Sequence, residues 1–184
     1  MAESDILVFV EERSAEEIVR AVGRRLGLAG RMTVLKHRGA GDLERSLKRK
    51  LAADPLPYGR YLILRDADNL DCQELKKKLS TMIPASKRSR TRVRLVCQEL
   101  EAWYLAQSNL LVREGVLKTP IPKRALQGGV DAVRDPKRLF QRHAHQKGQI
   151  AHAQRIGPLL NLESRASPSF AHFISALRYI ANLD

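Results

Sequence analysis

The hydrophobic positions in the first hundred residues follow two patterns that alternate along the chain. Short continuous apolar runs are typical of strands buried on both faces, and they are separated by stretches in which apolar residues recur every three or four positions, as on one face of a helix. The apolar runs predict four strands, at residues 5–10, 31–36, 61–64 and 93–97. The second run is the weakest and alternates most, so we expect it near an edge of the sheet.

Each predicted strand is followed by a predicted helix. Ser14 and Glu17 form a capping box that predicts the first helix from about residue 15, and Pro55 and Pro57 are expected to end the second. Trp103 falls in the fourth helix and is expected in the core. The order β-α-β-α-β-α-β-α over residues 5 to about 107 indicates a parallel sheet with right-handed crossovers.

The rest of the chain has a different character, because it contains no strong strand pattern. Asp135-Pro136 predicts the start of a basic helix, residues 147–155 have helical spacing, and Ser167-Pro168 predicts the start of a last helix. Residues 108–130 carry prolines and glycines and are expected to be a loop or linker. We therefore predict an α/β domain at residues 1–107 and a mainly helical, basic extension at residues 108–184 packed on it.

Charge changes this picture most, because the chain has 33 Lys and Arg against 20 Asp and Glu, a net charge of +13 and a pI near 10.3. A protein this basic is expected to bind polyanions, nucleic acid first, and the alternative is a solvated basic surface without a partner. The densest run predicts contacts with DNA or RNA through Lys87, Arg88, Arg90, Arg92 and Arg94. Aromatic residues are few near this run, so contacts with the phosphate backbone are favoured over base stacking.

The sequence disfavours several other classes of protein. The chain has no apolar run of the length that crosses a bilayer, and its short acidic start does not resemble a signal peptide. Cys72 and Cys97 are far apart in sequence and have no metal-ligand spacing, so free thiols are expected. These features predict a cytoplasmic protein without a membrane partner. A Gly-rich phosphate loop is also missing, so the chain itself is not expected to be an ATPase.

Carboxylates follow two of the predicted strands. Glu11 comes directly after the first strand, and Asp66 and Asp68 follow the third, on the same side if that strand continues so far. The carboxyl ends of neighbouring parallel strands meet at one edge of a sheet, and clustered carboxylates suit Mg²⁺ or Mn²⁺. Asp71 is a further candidate metal ligand. The alternatives are that Asp71 caps the next helix in a capping box with Glu74, and that Glu11 is simply solvated.

This pattern resembles the Toprim domain of topoisomerases, bacterial primases and the nucleases of the overcoming-lysogenization-defect (OLD) type. In those families a Glu ends the first strand and an Asp-x-Asp ends a later one. A bacterial family catalogued as a Toprim-like domain of unknown function is similar over nearly the whole chain. The motifs that carry this resemblance are Val10-Glu11-Glu12-x-Ser14-x-Glu16, Asp66-x-Asp68, Asp71-Cys72, Glu99-Leu100-Glu101-Ala102-Trp103, Lys147 and Ser167-Pro168-Ser169-Phe170. One departure is Glu12, where Toprim domains usually have Gly.

The resemblance implies Mg²⁺- or Mn²⁺-dependent phosphotransfer on nucleic acid. Asp66 and Asp68 would be metal ligands, Glu11 a ligand or general acid/base, and Lys147 would neutralise developing phosphate charge, although Lys147 can equally be one solvated cation among many. Further ligands, or groups that contact the ligands, would come from Glu12, Glu16, Glu99 and Glu101. For Glu99 and Glu101 the alternative is a pair of acidic residues at a helix start.

We therefore expect a Toprim-type nuclease that hydrolyses phosphodiesters with water as the nucleophile, as the effector of a phage-defence or toxin module. The alternative is a non-catalytic nucleic-acid-binding or regulatory subunit that works with a separate ATPase of the ABC/AAA kind. Metal binding that depends on Asp66 distinguishes the two.

Overall fold

Four parallel strands form the single sheet of the computed structural model, which describes residues 5–53 and 59–183. Their order is β2-β1-β3-β4. The strands are β1 (Ile6–Val10), β2 (Met32–Lys36), β3 (Arg60–Asp66) and β4 (Thr91–Val96). All three pairings are parallel, so the α/β fold with about four parallel strands is confirmed. The weakly apolar β2 lies at one edge, as its alternating pattern predicted, and β4 lies at the other.

Helices connect the strands and make up most of the distal part of the chain. The α-helices are α1 (Arg13–Arg25), α2 (Ala40–Ala52), α3 (Cys72–Thr81), α4 (Glu101–Leu105), α5 (Ser108–Arg113), α6 (Pro136–His143), α7 (Gln149–Ile156) and α8 (Pro168–Ala181). Short 3₁₀ turns occur at Ala85–Arg90, Lys123–Leu126, Val130–Ala132 and Gly157–Leu159. No helix in the described part of the chain is long and apolar enough to cross a membrane.

The sheet separates two hydrophobic layers because successive side chains of a strand point to opposite faces. On one face, Leu7 and Phe9 of β1 pack with apolar residues of α2 and α3. On the other face, Ile6, Val8 and Val10 pack with α1 and with the distal helices. All five residues of β1 are buried, which explains its uninterrupted apolar sequence.

The distal helices share the core of the sheet, and Trp103 of α4 is the centre of this contact. Trp103 is fully buried, as predicted, and its ring lies 5.1 Å from Phe170 and 5.0 Å from Phe173 of α8, measured between centroids. Its indole Nε1 donates a hydrogen bond of 2.8 Å to Ser169 Oγ. The Ser-x-Ser-Phe and Glu-Ala-Trp motifs therefore meet in space and join the two halves of the chain.

The structure confirms some of the predicted helix boundaries and corrects others. Asp135 caps α6 and Ser167 caps α8 through side-chain hydrogen bonds to backbone N–H groups. The prediction of a capping box at Ser14 was wrong. Helix α1 begins at Arg13, and the Ser14 hydroxyl donates its hydrogen bond to the carboxylate of Glu12. Residues 108–130 also contain α5 and the 3₁₀ turn Lys123–Leu126, rather than only a loop. The predicted helix end at residues 55–57 lies outside the described residues.

Candidate active site

The strand order brings the first two predicted site residues to one edge of the sheet. β1 and β3 are neighbours, with Val10 opposite Leu64, so Glu11 and Asp66 leave adjacent strands at their carboxyl ends. Gly39 donates its backbone N–H to the carbonyl of Glu11 at 3.1 Å, which fixes the chain where β1 turns into α1. The predicted meeting of Glu11 and Asp66 at this edge follows from the central position of β1.

Asp68 is not on the strand, which corrects the expectation that β3 would carry both aspartates on one side. β3 ends at Asp66, and Asp68 has a left-handed backbone with φ of 48°. Its N–H donates to the carbonyl of Gln98 at 3.1 Å, and the N–H of Asn69 donates to Gln98 Oε1 at 3.1 Å. Asn69 and Gln98 are left-handed too, with φ of 64° and 63°.

These three non-glycine residues each adopt a sparsely populated conformation, which costs of order 1–3 kcal/mol per residue. Aspartate and asparagine tolerate this region better than most residues because their short side chains bond locally. The two hydrogen bonds to Gln98 offset this cost and hold the loop after β3 against the loop after β4. They thereby bring the carboxylates that follow β3 close to Glu99 and Glu101, which follow β4.

Mutual repulsion dominates the electrostatics of this edge. Burial raises the pKa of Asp66 well above its usual range, and the negative charges of Glu11, Glu12, Asp68 and Glu101 raise it further. Burial and the neighbouring charge of Asp68 also raise the pKa of Glu11, against the opposing effect of a nearby arginine. Positive charge therefore offsets the repulsion only in part, and burial and neighbouring carboxylates set the direction of both pKa shifts.

The Glu-Leu-Glu box adds two further carboxyl groups to the cluster. Burial raises the pKa of Glu101 to about 7, and its side chain is only 4% exposed. Burial raises the pKa of Glu99 as well, although this carboxylate accepts a hydrogen bond from the backbone N–H of Lys137 at 3.3 Å. The buried Tyr104 hydroxyl interacts electrostatically with Glu101 and Asp66 and has no hydrogen-bond partner among the described residues.

Arg65 also belongs to this edge of the sheet, although the sequence analysis gave it no role. It is only 5% exposed, and its Nε lies 3.5 Å from Glu11 Oε2 while its terminal nitrogen Nη1 lies 3.0 Å from Glu44 Oε1. Lys78 also contacts Glu44 Oε1, at 2.8 Å. A signal was present, because an arginine inside an apolar run that is buried on both faces must find carboxylate partners.

The donor set fits a hard divalent cation. Glu11, Asp66 and Asp68 offer carboxylate oxygens, the ligands that Mg²⁺ and Mn²⁺ prefer, and Glu11 Oε2 is buried without a hydrogen bond. In this conformation, residues 5–53 and 59–183 contain no group of three or more His, Cys, Asp or Glu side chains arranged closely enough to hold a metal ion. Joint coordination would therefore require these repelling side chains to move together.

The remaining acidic candidates have partners of their own. Asp71 caps α3, accepting hydrogen bonds of 2.9 Å from the N–H groups of Gln73 and Glu74, so the cap interpretation is confirmed. Glu16 pairs with Arg20 at 2.9 Å one turn along α1, and Glu12 accepts the hydroxyl of Ser14. Lys147 is exposed. It lies two residues before Gln149, whose side chain forms a hydrogen bond with Glu101.

The basic run of residues 87–94 does not form one uniform surface. Lys87 is only 3% exposed and donates to the Leu51 carbonyl, so its assignment to a nucleic-acid surface was wrong. Arg90 donates to the Gly59 carbonyl at 3.3 Å. Arg92 stacks on the Tyr179 ring, and Arg94 donates to the His172 carbonyl at 2.9 Å, both against α8.

The fold is similar to solved structures of other proteins, whereas comparisons of the sequence find no match. No protein-family model and no curated protein sequence matches the chain. The solved C-terminal region of the OLD protein of Burkholderia pseudomallei superposes with a TM-score of 0.58 at 16% identity, covering 96% of this chain and 98% of that one. The C-terminal region of the Xanthomonas campestris pv. campestris OLD protein gives a TM-score of 0.52 at 20% identity, covering 100% and 97%.

At these identities the likeness shows the fold alone, and it extends over nearly the whole chain. The expected resemblance to the bacterial family with a Toprim-like domain of unknown function stays a prediction. The strand order, the carboxylates at the strand ends and the superpositions agree on one architecture. The protein has an OLD-type, Toprim-like fold in which the sheet and the distal helices form one shared core.

Proposed function

We propose that the protein is a divalent-cation-dependent nuclease that hydrolyses phosphodiester bonds in nucleic acid. The observation that carries this proposal is the convergence of carboxylates from three strand ends, in which Asp66 is crowded by Glu11, Glu12, Asp68 and Glu101. A fold retains such repulsion where a cation relieves it, and Mg²⁺ or Mn²⁺ bound there would stabilise the charge that develops on the phosphate oxygens. The Toprim-like fold and the net charge of +13 support the same activity.

The residues have distinct roles in this proposal. Asp66 and Asp68 hold the cation, with Asp68 exposed on its loop and Asp66 partly buried at the strand end. Glu11 is the third ligand or the general acid/base, and Arg65 orients it through a contact of 3.5 Å. Tyr104 is only 1% exposed, so its hydroxyl does not reach a substrate. In this proposal water is the attacking nucleophile.

The test is cleavage of labelled DNA and RNA by purified protein with Mn²⁺ or Mg²⁺, and again with a chelator. Cleavage should require the cation and should fall at least a hundredfold in the Asp66→Asn variant, since the ligand charge is lost with little change in shape. The matched control is Glu163→Gln, an exposed carboxylate that pairs with Arg178 on the surface. Full activity in Asp66→Asn would overturn the assignment of the site.

The alternative function remains a binding or regulatory subunit that works with a separate ATPase. Its specific support is that the superposed neighbours are C-terminal regions of OLD proteins, and so parts of longer chains. Under that alternative, wild-type protein binds nucleic acid and shows no cleavage with either cation, and the Asp66→Asn change leaves binding unaltered.

A further inference from the structure

β4 has an open edge that faces a basic groove. In the sheet order β4 pairs only with β3 among the described residues, so its outer edge is not covered by another strand. α3 lies on one face of β4 and α8 on the other, and their side chains form the walls of the groove. This groove is outside the carboxylate site described above.

Two adjacent cavities make up the groove. One has a volume of about 430 Å³ and lies toward Cys72, Cys97 and His172. The other has a volume of about 440 Å³ and lies toward Arg88 and Thr91. Both are lined by Lys76, Val93 and Arg94, so they adjoin along β4, and together they are called the channel below.

The charge of the channel is strongly positive. Its cationic residues come from α3, from the 3₁₀ turn before β4 and from β4 itself, and they are Lys76, Arg88, Arg92 and Arg94. The acidic residue in the lining is Asp131, whose two oxygens already accept hydrogen bonds from Ser167 Oγ at 2.6 Å and from the Ser169 N–H at 2.7 Å. All four cations line the cavity toward Arg88, so the attraction for a polyanion is strongest at that end of the channel.

The channel also leads to the carboxylates. Its inner end is at Cys72 and Cys97, next in sequence to Asp71 and Gln98. The carbonyl of Gln98 is the acceptor for the N–H of Asp68. A chain lying in the channel would therefore reach the loop that carries Asp68 as it passed the end of β4.

We propose that this channel along β4 binds single-stranded nucleic acid by its phosphate backbone and guides it to the carboxylate site. The proposal rests on the nuclease function proposed above and specifies its substrate. Cavities of about 430 and 440 Å³ are in the range of sites for small ligands, so each has room for a unit of the size of one nucleotide in a strand that lies along β4. The described lining contains no Phe, Tyr or Trp, so binding is tolerant of sequence and depends on phosphate contacts.

The experiment measures binding without catalysis. A fluorescein-labelled oligo-dT strand, an oligo-rU strand and a duplex of the same length are titrated in chelator, across a range of salt concentrations. The variant is Lys76→Ala with Arg88→Ala, because both side chains are exposed. The control is Arg24→Ala with Lys77→Ala, which removes the same two charges from exposed positions that do not line the channel.

We expect tighter binding of a single strand than of the duplex. Each lost phosphate contact flattens the plot of log K against log salt by about 0.7 for single strands, so the Lys76/Arg88 variant should lose up to about 1.4 from the slope and the control should lose much less. Equal slopes in the two double variants would overturn the channel proposal. So would preference for the duplex, or binding of a poly-glutamate peptide with no binding of oligonucleotide.

The outcomes for the two proposals are separable. Single-strand binding that depends on Lys76 and Arg88, without cleavage in Mn²⁺, would support the channel and overturn the nuclease. Cleavage that needs Asp66, with binding unchanged in the Lys76/Arg88 variant, would support the nuclease and overturn the channel. Unfolding curves of both double variants confirm that each protein is folded.

Discussion

Replacing Arg65 by Met is the change that most directly probes how the acidic edge is stabilised without a cation. Arg65 is 5% exposed and is placed 3.5 Å from Glu11 and 3.0 Å from Glu44. Removing one partner of a buried ion pair costs about 3–5 kcal/mol, because it leaves an uncompensated buried charge. Glu44 keeps its contact of 2.8 Å with Lys78, so the loss should lie near the lower value, at about 3 kcal/mol.

The assay is urea unfolding at neutral pH, with the midpoint and the slope both measured. An unchanged slope shows that the unfolded state is comparable, so that the midpoint reports stability. The matched cycle adds Glu44→Gln to the wild type and to the Arg65 variant. Because the two side chains touch, their effects should be non-additive by roughly 0.5–3 kcal/mol.

Two results would contradict a stabilising buried ion pair at Arg65. A loss below about 1 kcal/mol in the Arg65 variant would place the pair in the class of exposed ion pairs, against its observed burial. Additive effects in the cycle would show that Arg65 and Glu44 do not interact in solution.

Three further predictions concern single residues near the site. Asp71→Ala should cost about 1 kcal/mol of stability by removing the cap of α3 while leaving any cation-dependent cleavage intact, as cleavage and unfolding assays would show. Burial raises the pKa of Glu101 from 4.5 to about 7, so the folded state holds the extra proton and stability falls as pH rises through this window. Glu101→Gln should remove about 3 kcal/mol of that fall, measured by urea unfolding at pH 5 and pH 8. Ser169→Ala should cost about 1–3 kcal/mol in the same assay, because the buried Trp103 Nε1 loses its acceptor.

The sheet was predictable from sequence because its strands are continuous apolar runs. A parallel sheet covered on both faces requires such runs, and β1 is buried at every position. The alternation of strands and helices then gives the topology. With β1 central, the carboxyl ends that carry Glu11 and Asp66 are adjacent, so the sequence alone was enough to predict that these two residues lie at one edge of the sheet.

The details of the loops could not be predicted in the same way. Asp68 is held by backbone hydrogen bonding to Gln98, 30 residues later in the chain, and no local pattern encodes that contact. The start of α1 was displaced for a similar reason, since the Ser14 hydroxyl found the Glu12 carboxylate rather than a backbone N–H.

Positive charge was the least predictable feature. A run of Lys and Arg indicates a basic surface, but long side chains can bury their stems and find internal partners. Lys87 lies under the Leu51 carbonyl and 5.5 Å from the centre of the Tyr61 ring. Arg65 is paired inside the fold. The structure leaves Arg88 exposed and places Lys76, which the sequence did not single out, beside it in the β4 channel.

We propose that Glu11, Asp66 and Asp68 share a divalent cation, and a crystal structure of the protein soaked in Mn²⁺ would show whether they do. Anomalous scattering would locate the ion without reference to activity. We expect one ion or more at the carboxyl ends of β1 and β3, coordinated by oxygens of these three residues and absent from Asp66→Asn crystals. Well-ordered carboxylates with no anomalous signal between them, at a Mn²⁺ concentration that supports cleavage, would contradict it.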